Sequence, residues 1–508
     1  MSYTSIAFFL FLGILLLLYY LTPCSRQYLV LLAASYVFYL CASIPAVVFL
    51  LFSTAVTYAG ALAVSRSREQ EAAGTKKTSA ARKWMLVTLA ANLGVLAVLK
   101  YTDFLIGNIN ALFRTEIPFL AFWLPLGISY YTFMAVGYLL DVYWGRCGAE
   151  KNFLKFALFL SFFPYIAQGP IGRYGKLAPQ FAAGHTLELK NLKNGAMRIV
   201  WGLFKMMLLA GWAAVYRQAI FADPDAYAGI NLFGVLLYSV ELYGNFSGGI
   251  DLTVGTAELF GITLDENFRQ PYFAVSVADF WRRWHMTLGS WMKDYVLYPL
   301  TLSRWMNRFG KACKKRFGRR KGRLLPICLS SIVVFFLVGI WHEASWSYIG
   351  WGLYNGILIA ISNLLADWYV SVKKKLRIRD TSFPWRVFMI CRTFALMNLS
   401  WYFDCVSSPG MAWHMIVNSL THFAPSDFLR ISSGKLGTAY TPAALTVLAA
   451  GILLLFAVSL IRERGRKIRT ILSAWPLAAQ YAIVLALLLA VFCFSPMASA
   501  GGFIYAQF

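Results

Sequence analysis

Charge is scarce in this chain of 508 residues. Asp, Glu, Lys and Arg make up only 14% of it, and hydrophobic types make up 59%. A soluble domain carries about 25% charged residues, so too little polar surface remains to cover a large soluble core. Acidic residues are the scarcest charges, 22 against 47 basic ones, which leaves a net charge of +25. The eight cysteines form no C-x-x-C pair, and there are only five histidines. That spacing writes neither a metal site nor a disulfide framework, and the cysteines read as small apolar fillers. No G-x-S-x-G elbow and no P-loop occurs, and the glycines of Phe246-Ser247-Gly248-Gly249 match no phosphate-binding motif.

Long apolar runs take the place of the missing charge. Ile6 to Leu21 and Leu324 to Trp341 contain no charged residue. A bilayer core needs about 20 apolar residues per helix. Twelve spans are expected, near 5–22, 28–43, 46–64, 84–104, 121–143, 199–216, 230–250, 324–342, 346–366, 384–404, 441–461 and 473–495. The first lacks a basic leader and a small-residue cleavage site, so it reads as a retained helix. No repeat or linker divides the chain, and residues 1–508 read as one membrane domain.

The basic residues are clustered between these runs. Arg304 to Arg323 holds ten and no acid, Arg66 to Lys83 holds six, and Lys373 to Arg379 and Arg462 to Arg469 hold five each. Such loops mark the cytoplasmic face, with affinity for anionic lipid heads rather than for nucleic acid. Loop 105–120, with only Arg114 and Glu116, and loop 220–229, with Asp223 and Asp225, then fall outside, as do both termini. Residues 153–172 resist this scheme. They are apolar but contain Pro164, Gly169 and Pro170, and the basic stretch Arg173 to Arg198 follows. A full crossing would put that stretch outside, so a re-entrant segment bordering a cavity is expected.

Two histidines stand out. His342 ends an uncharged run, and the 19 residues from Leu324 span about 28 Å as a helix, close to one crossing. It therefore sits near the outer end of a hairpin with 346–366, where an ionisable group is a functional candidate. His285 lies in Asp279 to Asp294, expected as one amphipathic interfacial helix. Trp281, Trp284, Leu288 and Trp291 would form its apolar face, and Arg282, Arg283 and Lys293 would lie away from it. His185, His414 and His422 read as solvated. Asp141 reads as interfacial. Glu241, in mid-span, needs a partner, and Arg392 is the candidate. A neutral imidazole can act as general base toward a hydroxyl or carry an acyl group itself.

Several blocks of sequence then carry a resemblance. They are PLGISYYTF (125–133), YLLDVYWG (138–145), FFPYIAQGPIGRY (162–174), YGNFSGGIDLTVGTAELFGITLDENFRQPY (243–272), FWRRWHMTLGSWMKDYVLYPL (280–300), VGIWHEASWSYIGWGLYNG (338–356) and the terminal FIYAQF. Together they resemble bacterial membrane-bound O-acyltransferases, in the expected order, with a family core over roughly 120–370. The similarity is greatest to the branch that includes the alginate O-acetylation membrane subunit, and extends to the D-alanyl teichoic acid transferase.

The resemblance implies an all-α polytopic fold of about twelve transmembrane helices, with a re-entrant segment and interfacial helices around a central funnel. It implies that His342 is the catalytic histidine and His285 a second functional one. Trp281, Trp284, Trp341 and Trp346 would wall the tunnel, together with Glu343 and Asn355. Glu343 stands where many relatives have glycine, and Asn355 where many have histidine. Glu343 could orient His342 or raise its pKa. No bound cofactor or metal is implied. The acyl donor would be a cytoplasmic thioester, acetyl-CoA or an acyl-carrier protein. The acceptor would be an extracytoplasmic polysaccharide or a partner acetyltransferase, reached from the plasma or inner membrane. Acetyl leads as the acyl group. D-alanyl transfer to teichoic acid is the first alternative, and a non-catalytic transporter or scaffold of an exopolysaccharide system is the second.

Overall fold

A computed structural model describes residues 2–74, 80–406, 408–424, 426–427 and 441–496. The terminal FIYAQF lies outside the described residues. Among the described residues there are helices and no strand. The elements that matter below are α1 (Ile6–Leu21), α2 (Gln27–Ala42), α3 (Ile44–Ala72), α4 (Ala80–Phe113), α5 (Ile128–Trp144), α6 (Phe153–Ser161) and α7 (Tyr174–Ala183). They continue with α8 (Leu189–Ala222), α9 (Asn231–Leu259), α10 (Val277–Arg283), α11 (Met286–Met292), α12 (Arg304–His342) and α13 (Trp346–Leu364). Last come α14 (Ala366–Lys375), α15 (Phe383–Cys405), α16 (Pro409–Thr421), α17 (Pro442–Glu463), α18 (Ile468–Ser473) and α19 (Leu477–Phe494).

Six of these, α3, α4, α8, α12, α17 and α19, are long and apolar enough to cross a membrane. A seventh span would be α13 with α14, which bend by 58° at their junction. Each of the twelve expected segments coincides with a helix, but the other segments are too short or too polar to qualify by length and composition. One boundary moves: residues 121–127 are not helical, and α5 starts at Ile128, after Gly127 in the left-handed conformation (φ 71°).

The chain packs as two compact units. Among the described residues, the first comprises those within 1–199 and 249–265, and the second those within 200–248 and 266–496. In the first unit the segment that resisted assignment is not one continuous helix. Asn152 caps α6 by accepting from the amides of Leu154 and Lys155. After Ser161 the chain leaves helical geometry and returns to α7. The Tyr174 hydroxyl bonds to Glu150, and its ring lies 4.7 Å from that of Tyr138. Both ends of the segment therefore meet at one end of the unit. That end also holds Arg68, which donates to the carbonyl of Val142 at 2.9 Å.

Irregular backbone in an apolar core must find hydrogen bonds from its surroundings. Here the Phe163 amide donates to the Ser35 hydroxyl, the Phe163 carbonyl accepts from Tyr3, and the Pro164 carbonyl accepts from Thr253 (3.0, 2.5 and 2.9 Å). A cavity of about 460 Å³ lies at the segment's C-terminal end, lined by Pro170, Gly172, Arg173, Lys176, Gln180 and Thr263.

In the second unit α12 and α13 form a hairpin. The basic stretch expected as a loop, 304–323, is instead helical, and it is interrupted only at Gly318, where φ is 87°. Beyond it the two helices approach closely through glycines. A Cβ on Gly339 would lie 2.3 Å from the Tyr348 carbonyl oxygen, and one on Gly352 would lie 2.4 Å from that of Phe335. Small residues are what permit such backbone contact between helices in lipid. Gly352→Val is expected to destabilise the protein by about 1–3 kcal/mol through overpacking. Gly94→Ala in α4, whose Cβ would meet no atom within 4 Å, is expected to be neutral. Thermal unfolding of the two purified variants in detergent checks this.

Candidate active site

The hairpin places His342 as the last residue of α12, buried at 6% exposure. Three rings enclose its imidazole. Trp341 lies edge-on at 4.8 Å, Trp351 edge-on at 5.3 Å, and Tyr348 stacks at 5.9 Å. The turn that reverses the chain is only three residues long. Ser345 accepts from the Tyr348 amide at 3.3 Å to start α13. Residues 348, 351 and 355 then recur at helical spacing on one face of α13, so Tyr348 and Trp351 meet His342 and Asn355 lies one turn deeper.

Asn355 is fully buried, and its Oδ1 accepts from the indole N–H of Trp281 at 3.1 Å. The Trp281 ring packs edge-on against Trp351 at 5.4 Å. Trp284 belongs to a second aromatic group, stacked on Phe280 at 5.4 Å and edge-on to Phe268 at 5.0 Å. Glu343 is exposed at the end of α12, its backbone amide donating to Gly339. Trp346 is 58% exposed at the start of α13. That is the position of an interfacial anchor, which corrects the expectation that it walls a tunnel.

The single interfacial helix expected over 279–294 is also corrected. It is two short helices, α10 and α11, broken at His285, whose backbone is left-handed (φ 45°, ψ 53°). The break turns His285 inward, to 3% exposure, against Phe246 of α9 at 4.9 Å. Its ring lies 6.3 Å from that of Trp341. Trp341 thus stands between the two histidines. Arg283 is not solvated, because Asp279 and Glu463 hold it at 3.1 and 2.8 Å. Burial pushes the His285 imidazole down to about 3, so it is neutral at physiological pH.

Glu241 has a different partner from the one expected. Arg217 of α8 grips both its oxygens, at 2.5 and 3.0 Å, while Arg392 donates to the Val275 carbonyl at 2.9 Å. The ion pair sits behind the histidine site. Tyr238, one turn from Glu241, donates to Asp404 at 2.8 Å. Tyr348 also bonds to that carboxylate and stacks on His342.

Sequence reading missed Asn267, Tyr348, Trp351 and the buried Lys205. Lys205 sits in the π-helical turn Phe204–Leu209 and donates to Ser247 at 2.8 Å. The helical spacing of 348, 351 and 355 could have revealed the α13 pair. The other histidines contact Gln180 (His185), Asp225 (His414) and Thr421 (His422). Among the described residues no group of three His, Cys, Asp or Glu side chains is placed to hold a metal ion.

Six helices long and apolar enough to cross a membrane define a multi-pass membrane protein, and within it two histidines are buried beside Trp341. The chain belongs to the membrane-bound O-acyltransferase family, whose match covers residues 148–310, and it is an acyltransferase. It is 32% identical over 418 residues to the "probable alginate O-acetylase AlgI" of Azotobacter vinelandii, covering 81% of this chain and 76% of the relative. It is 31% identical to the peptidoglycan O-acetyltransferase of Helicobacter pylori (65% and 63% covered). The teichoic acid D-alanyltransferase of Bacillus subtilis is 30% identical (52% and 68% covered).

Removing one member of a buried ion pair strands the other charge and costs about 3–5 kcal/mol. Arg217→Ala is therefore expected to lower the yield of monodisperse protein strongly, and Arg217→Ala with Glu241→Gln is expected to recover much of it. Size-exclusion profiles at equal membrane loading check this.

Proposed function

We propose that this protein moves an acyl group, acetyl in the leading reading, from a cytoplasmic thioester donor to a hydroxyl outside the membrane. The observation that carries the reading is the placement of His342. It is buried in an aromatic box at the end of α12 opposite the ten basic residues of 304–323. The positive-inside rule puts those residues in the cytoplasm, and His342 near the outer face. The fold is then one of about twelve spans around a funnel, in the plasma or inner membrane.

The donor is acetyl-CoA or an acyl-carrier protein, drawn to the basic face. The acceptor is a cell-surface polysaccharide or a partner acetyltransferase that modifies one. His342 takes the proton of the attacking hydroxyl as the thioester C–S bond breaks and passes it to the departing thiol, or takes the acyl group on its imidazole with release of that thiol before passing it to the hydroxyl. The surrounding indoles exclude water, which protects the thioester from hydrolysis. D-alanyl transfer to teichoic acid is the second reading, favoured by the similarity to the Bacillus subtilis relative. The acetyl reading leads because the likeness to the alginate O-acetylase covers 81% of this chain against 52%. A passive transporter or scaffold would not need an imidazole at position 342.

In a polysaccharide-producing host, base-labile acetate on the surface polymer is expected with the wild type. His342→Ala is expected to lower it at least 100-fold at equal membrane levels. Equal acetate in both removes His342 from the reaction. D-alanine in place of acetate selects the second reading.

A further inference from the structure

Two buried polar atoms beside His285 point to a ligand. The Asn267 Oδ1 accepts from the Thr287 amide at 3.0 Å and from the Thr287 hydroxyl at 2.9 Å. The backbone donor fixes that atom as the oxygen. His285 Nδ1 lies 3.2 Å from the same oxygen, so Nδ1 bears the proton and Nε2 carries the lone pair. Both residues are buried, and neither His285 Nε2 nor Asn267 Nδ2 has a hydrogen-bond partner. One orphan is an acceptor and the other a donor, on two side chains bonded to each other. An orphaned buried polar group is destabilising, and two of opposite kind at one place match a group that offers both an N–H and a C=O.

We infer that His285 Nε2 and Asn267 Nδ2 form a recognition site for a secondary amide of the donor's pantetheine arm. This rests on the proposed function only in requiring a thioester donor, because coenzyme A and carrier proteins share that arm. The walls suit such a chain: Phe246 and Trp341 flank the imidazole and can pack its methylenes. The protonation state agrees. A group that titrates near 3 is a poor proton acceptor at neutral pH but a competent hydrogen-bond acceptor. Among the described residues, the neighbours of this ring include Phe246 of α9, Asn267 of the preceding loop and Trp341 of α12, with His342 beyond that indole. His285 thus holds the donor, and the chemistry at the acceptor is left to His342.

The test is pantetheine binding to the full-length protein in nanodiscs, measured by calorimetry with no acyl transfer required. Asn267→Asp keeps the oxygen that Thr287 and His285 bond to but replaces the orphan donor with an acceptor. His285→Phe keeps the ring against Phe246 but removes Nε2. Each is expected to weaken pantetheine binding at least tenfold in protein that remains folded and monodisperse by size exclusion. An analogue with ester oxygens in place of the amide nitrogens is expected to bind the wild type and His285→Phe equally. Wild-type affinity for pantetheine in a folded Asn267→Asp protein overturns the inference. So does an equal loss of both ligands in His285→Phe. Pantetheine binding without acetyl transfer would sink the acetyl reading and leave this site standing.

Discussion

The close contact of α12 and α13 through Gly339 and Gly352 is the constraint on which the site depends. Backbone oxygens of each helix occupy the space where the other would carry a Cβ, so the helices cannot separate without losing that packing. The contact brings Trp351 and Tyr348 against His342 and sets Asn355 against Trp281. Because lipid tails are as apolar as leucine, association here relies on such fit and on polar bonds between helices rather than on hydrophobic burial.

The same scarcity of water explains where the polar residues went. Several buried charges and one irregular stretch are answered from within the protein. Glu241 is held by Arg217, Arg283 by Asp279 and Glu463, and the irregular backbone after Ser161 by Ser35, Tyr3 and Thr253. Other buried polar atoms also lack a partner, but His285 Nε2 and Asn267 Nδ2 are an acceptor and a donor on two side chains bonded to each other.

Much of this was legible in the residues. Long uncharged runs fix helices, so every expected span coincides with one. The conflict between Pro164, Pro170 and the basic stretch after them marked the segment whose helix ends at Ser161. His342 stood out because it is an ionisable residue ending an uncharged run. Other features were hidden because they depend on tertiary partners. The tryptophan spacing across 279–294 suits one helix, yet the bonds that Asn267 makes to 286 and 287 break it at His285. Arg217 and Arg392 are equally plausible partners for Glu241 by composition, and only packing chooses between them. Trp346 looks like Trp341 in sequence, but a single turn separates an exposed ring from a buried one.

The central claim is that an acyl group enters from the basic face and leaves at the end that holds His342. Sidedness tests it most directly. Inside-out vesicles carrying the protein and its acceptor polymer in the lumen would be given a radiolabelled acetyl thioester on the exposed cytoplasmic face only. The account predicts base-labile label on the lumenal polymer. Label that appears only when the donor is sealed on the side of the acceptor would contradict it.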